Sequence, residues 1–156
     1  MFYIRRTTSV LMIILILVGL AAVVFFYSFD PDEYKFAMIT TPQGREIMVE
    51  VADTHGERAS GLAGRKDVGI YDGMLFIYDH NQRSTFTTSE MYFSLDIIWL
   101  RDGQVVGIED NVPYGLAVAY HPSSPGEING VLEVTEDFFA EDELKVGDQL
   151  DIFLIK

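Results

Sequence analysis

Residues 95–108 read LDIIWLRDGQVVGI. Two apolar runs, Leu95 to Leu100 and Val105 to Ile108, flank Arg101-Asp102-Gly103-Gln104. Asp-Gly between apolar runs of strand length is among the stronger hairpin signals, because the favoured two-residue turn needs positive φ at both central positions. The same punctuation recurs on both sides. Upstream, Lys35 to Thr40 and Arg45 to Ala52 flank Thr41-Pro42-Gln43-Gly44, with proline second and glycine fourth as a tight turn prefers. The second of these runs alternates, with Ile47, Val49 and Val51 on one face and Glu46, Met48 and Glu50 on the other, which is the period of a half-buried strand. Met74 to Tyr78, Leu116 to Tyr120, Gly130 to Val134 and Leu150 to Ile155 read as further strands. Asp72-Gly73 and Val146-Gly147-Asp148 read as turns, and Pro122 to Gly126 as a loop. Thr54-His55-Gly56-Glu57 has capping-box spacing and predicts a short helix through about Ala63. Thr135 could cap a second over Glu136 to Asp142. The expectation is a mainly β fold, a compact sandwich or barrel of about eight or nine short strands with two short helices.

That domain fills residues 36–156 of a 156-residue chain. Before it, Val10 to Tyr27 gives 18 residues without a charge, about 27 Å of helix at about 1.5 Å per residue, enough to cross a hydrocarbon core. Arg5 and Arg6 precede this stretch, and Asp30, Asp32 and Glu33 follow it, so the positive-inside tendency puts residues 1–9 in the cytoplasm and the β domain outside. A cleaved signal peptide is the rival reading. The bulky run Val23 to Tyr27 after Ala21-Ala22 favours an uncleaved transmembrane anchor over 10–27, joined to the domain by a linker over 28–35.

Composition narrows the function classes. The chain carries 24 acidic and 11 basic residues, a formal charge of −13, and no cysteine. Residues 28–156 hold all the acids and nine of the bases, a formal charge of −15. Such a surface does not suit a phosphate backbone, so no nucleic-acid partner is expected. Without cysteine there are no disulfides, thiolate ligands or thiol nucleophiles. His55, His80 and His121 show no ligand spacing, no serine sits in a nucleophile elbow, and no glycine-rich phosphate loop is present. No metal and no cofactor is expected.

The residue series VEVADT, Glu57-Arg58, Gly61-Leu62, Arg65, Gly73-Met74-Leu75-Phe76, Phe86, Leu95-Asp96-Ile97-Ile98, DGQVVGIEDNVP, Val131-Leu132-Glu133-Val134 and Lys145-Val146-Gly147-Asp148 resembles domain-of-unknown-function family 192. This is a widespread prokaryotic family. The resemblance covers about Ile47 to Ile152 and implies a compact, mainly β sandwich or barrel, but no reaction. Members typically carry Phe-Trp-Met-Lys-Asn-Thr ahead of the Leu-Asp element. Here Phe86 is followed by Thr87-Thr88-Ser89-Glu90-Met91, and Ser94 stands where the family has proline.

Arg58, Arg65, Asp96 and Glu133 occupy motif positions beside apolar residues. An acid inside a strand buried on both faces needs a partner, and an arginine fork is a good one. The four are therefore candidates for one polar network or pocket, with at least one arginine on Asp96 or Glu133. Three functional classes remain open: a binding module for a small polar ligand, envelope component or partner protein; an envelope hydrolase using Asp96, Glu133 or Glu109 with an arginine; and an accessory subunit of a membrane complex.

Overall fold

A computed structural model describes residues 12–20, 34–116, 126–135, 138 and 144–156. The chain divides into two compact units, Met1–Asp32 and Glu33–Lys156. In the first, residues 12–20 are helical with exposed side chains. Among the described residues no helix is long and apolar enough to cross a membrane. The remainder of the expected span over 10–27 lies outside the described residues.

The second unit is mainly β. Seven strands lie in one sheet: β1 (Phe36–Thr40), β2 (Glu46–Ala52), β3 (Gly73–Gln82), β4 (Leu95–Arg101), β5 (Gln104–Val112), β6 (Ile128–Thr135) and β7 (Asp151–Ile155). Their order is β5-β4-β6-β3-β2-β1-β7. The two edges approach each other. Gln104 bridges Gln149, and the Val105 and Leu150 amides donate to the carbonyls of Asp148 and Gly103, both at 2.9 Å. The sheet thus curls towards a barrel, and one end of its seam is hydrogen-bonded.

The turn chemistry is realised locally. Asp102 and Gly103 have φ of 50° and 76°, as a tight hairpin turn requires. The Gly44 amide donates to the Thr41 carbonyl at 2.9 Å and closes the first turn. Thr54 Oγ1 accepts from the Glu57 amide at 3.2 Å and Glu57 Oε2 accepts from the Thr54 amide at 3.2 Å, a complete capping box. The helix runs His55–Ser60 and ends at Gly61, whose φ of 47° breaks it before the expected Ala63. Gly73 differs from expectation: it opens β3 instead of turning. Asp72 is tied to β2 instead, its carboxylate accepting from the Met48 amide and its own amide donating to the Met48 carbonyl, both at 2.9 Å. Of the expected strand Leu116 to Tyr120, Leu116 is outside any strand, and the rest lies outside the described residues. So does the second helix, except Phe138.

β2 and β3 are parallel, so the chain must cross over between them. That crossover, residues 53–72, and the β3–β4 loop lie on the outer face of the sheet. Two cores result. Ala37, Ile39, Val49, Leu75, Ile98, Leu100 and Leu132 fill the interior. Leu62, Met74, Phe76, Met91, Leu95, Ile97, Trp99 and Val131 fill the outer layer. β4 belongs to both and is buried on each face.

Candidate functional site

The two strand acids face opposite ways. Asp96 shares its face with Ile98 and Leu100, on the interior side. Across the strand pair, Leu95 is opposite Val112 while Ile97 is opposite Glu109, so β5 carries one extra residue at this point. Asn111 lies there with φ of 52°, and its amide donates to Asp96 Oδ1 at 2.8 Å. A bulge leaves a backbone donor unpaired by the ladder, and the fully buried Asp96 supplies its acceptor. Removing that acceptor should be costly: Asp96→Ala is expected to destabilise by about 2–3 kcal/mol, measured as a shift in urea midpoint with unchanged slope. A loss below about 0.5 kcal/mol would show that the bulge does not depend on the carboxylate.

Glu133 points to the outer layer. β6 lies between β4 and β3, and Glu133 is in register with Ile97 on one side and Met74 on the other. Its side of β6 is shared with Val131. The residue is 4% exposed, and among the described residues its carboxyl has no hydrogen-bond or ionic partner. Burial alone therefore acts on it, and pushes its pKa from 4.5 up to about 8.

Above Glu133 is a cavity of about 430 Å³. Phe76 and Tyr78 reach it from β3 because they alternate with Leu75 and Ile77. Leu62 comes from the crossover, and Phe86 and Met91 from the β3–β4 loop. Phe86 stands edge-on to Phe76, with centroids 4.9 Å apart, and to Trp99 at 5.6 Å. Arg58, Ser60, Thr85, Thr87, Ser89 and Glu90 add polar groups to the lining.

Arg58 and Glu133 thus line one cavity, whereas Arg65 and Asp96 do not. Arg58 Nη1 donates to the Ile77 carbonyl at 2.8 Å and to the Asp53 carbonyl, and its guanidinium lies 5.1 Å from the Tyr78 ring centroid. It ties the short helix to β3. Arg65 makes a two-pronged pair with Glu50, at 2.6 and 2.9 Å, which raises its pKa and fastens the crossover to β2. The expected arginine partner of Glu133 is therefore absent among the described residues: one arginine holds carbonyls and the other holds Glu50. Sequence reasoning missed Tyr78, Phe86, Glu90 and Met91 as neighbours of Glu133. Alternation along β3 could have found Tyr78. No local signal reports where residues 86–91 fold back.

A family model for DUF192, described as an uncharacterized ACR, matches residues 37–152. The chain belongs to DUF192. Two solved structures share its fold. A candidate transcription regulator from Sinorhizobium meliloti 1021 is 23% identical, with a TM-score of 0.66 over 76% of this chain and 93% of that one. A protein of unknown function from Novosphingobium aromaticivorans is 27% identical, with a TM-score of 0.64 over 74% of this chain and 83% of that one. No curated protein matches significantly. Within the DUF192 frame, the stretch that departs from the usual family sequence borders the cavity: Thr87, Ser89, Glu90 and Met91 all line it. Glu90 gives this wall a second carboxyl beside Glu133.

Proposed function

We propose that this DUF192 protein is a membrane-anchored, extracytoplasmic binding module whose site for a small polar ligand is the cavity on Glu133. One observation carries the binding part: a buried carboxyl with no partner among the described residues faces a cavity wide enough for a small molecule. An isolated buried polar group is costly to a fold, and a ligand that satisfies it recovers that cost on binding. The cavity's volume lies in the usual range for small-molecule sites, and its lining mixes apolar side chains with polar groups that can orient a ligand. The test is a ligand screen by thermal shift on the purified chain beside Glu133→Leu, since a ligand of the folded state raises its melting point. Ligands that stabilise the natural chain and not the variant support the site. A broad screen in which none does so removes it.

The anchor rests on the uncharged stretch over residues 10–27 and its flanking charges. Protease added to intact cells or spheroplasts is expected to digest the domain and leave residues 1–6 protected. A mature form beginning near Val23 or Phe25 would replace the anchor by a cleaved signal. The second reading, an envelope hydrolase, draws on the same carboxyl: a Glu133 that keeps its proton to about pH 8 is equipped to be a general acid. Substrate turnover lost in Glu133→Gln would favour that class over simple binding.

A further inference from the structure

The charged and titratable groups lining the cavity are Arg58, Tyr78, Glu90 and Glu133. Arg58 comes from the helix, Tyr78 from β3 and Glu90 from the β3–β4 loop. The register neighbours of Glu133 on β3 and β4 are Met74 and Ile97, which do not titrate. Arg58 already faces two carbonyl oxygens and the Tyr78 ring, so much of its charge is opposed within the protein. What remains is two carboxyls, the deeper one without a counter-charge among the described residues. Beside them are the rings of Phe76 and Phe86 and the apolar side chains of Leu62 and Met91. The domain around the cavity carries a large negative charge, which concentrates cations at its surface.

We propose that the cavity binds a primary ammonium ion on a short apolar stem, with the ammonium group on Glu133 and the stem against Phe76 and Phe86. This rests on the cavity being a ligand site. An ammonium ion supplies the missing counter-charge as a charge-assisted hydrogen bond, and the aromatic edges and Leu62 shelter the stem from water. The proton balance is explicit. In the free protein Glu133 carries a proton until about pH 8. The bound pair is carboxylate and ammonium, so below that pH each binding event releases one proton from Glu133 to solvent. Affinity then rises about tenfold per pH unit on approaching pH 8 and levels off above it.

The test uses the full chain in neutral detergent, with n-butylammonium, butanol and butyrate as probes. Trp99 is the single tryptophan and touches the cavity wall through Phe86, so its emission reports occupancy. Calorimetry in two buffers of different ionisation enthalpy counts the protons released. The expected result is binding of n-butylammonium with a Kd that falls about tenfold from pH 6 to 7 and again towards pH 8. Glu133→Gln should weaken binding at least tenfold at pH 8 and flatten the pH dependence. Because the amide fills the same space, this variant should fold, and its near-natural Trp99 spectrum checks that. If butanol or butyrate binds as well as the amine, the ammonium assignment is overturned while the cavity remains a ligand site. Amine binding that ignores both pH and the substitution overturns it too. Failure of all three probes also overturns it, and the wider thermal-shift screen then decides whether the site itself survives.

Discussion

Replacing Glu133 by glutamine should leave stability nearly unchanged at pH 4 and raise it by several kcal/mol over the natural chain at pH 9. The natural carboxyl has a folded pKa of about 8 against an ordinary 4.5, and burial is the cause. The folded value lies above the unfolded one, so the folded state holds this proton more tightly. Below about pH 4.5 both states are protonated and nothing is lost. Between 4.5 and 8 the unfolded chain ionises while the folded chain cannot do so cheaply, and stability falls as pH rises. Above 8 both are ionised, and the full cost of a buried, uncompensated charge remains. One pKa unit corresponds to about 1.4 kcal/mol, so the accumulated difference is on the order of 5 kcal/mol. Glutamine has the same shape and no such titration, and subtracting one pH profile from the other cancels the remaining carboxylates. Urea unfolding followed by Trp99 emission at pH 4, 6, 8 and 9 measures it. A gap that stays constant across that range means that Glu133 is hydrated or paired in solution.

Gly73→Ala is expected to cost about 3 kcal/mol and to disturb the candidate site with the fold. Gly73 is buried where β3 begins, opposite Val134 on β6. A β-carbon there would overlap the carbonyl oxygen of Glu133 and come within 3.0 Å of its carbonyl carbon and of Val134 Cγ1. These are mostly backbone atoms, which cannot swing aside as a side-chain end can. Overpacking of a core position usually costs about 1–3 kcal/mol, and this position is at the upper end because two central strands must separate. The strand pushed away carries Glu133, so binding at the cavity should weaken together with stability. Thermal unfolding of Gly73→Ala beside Gly56→Ala separates close approach from general glycine effects, since a β-carbon at Gly56 meets nothing within 4 Å and its backbone is not left-handed. Equal losses at the two positions would refute the close approach of β3 and β6.

The sequence by itself determined what depends on neighbours along the chain. Asp102-Gly103 turns because both residues take positive φ cheaply, and Thr54 with Glu57 closes the capping box because three residues of helix bring them together. Ile47, Val49 and Val51 point inward because side chains alternate along a strand. DUF192 membership was legible for the same reason, as an ordered series of short motifs. Gly73 looked like a turn glycine in the sequence, and only the strand packed across from it explains its small size. Asp96 and Glu133 looked alike, each an acid between apolar residues on a strand. Tertiary structure separated them. Asp96 faces the interior and is met by the amide of Asn111 at a bulge. Glu133 faces the outer layer, and there a parallel crossover and a loop bring Arg58, Phe86 and Glu90 over it without giving it a partner among the described residues. Local rules set which way each side chain points relative to its own strand. What then stands opposite it is set by strand order and by long-range packing, which no short window of sequence contains.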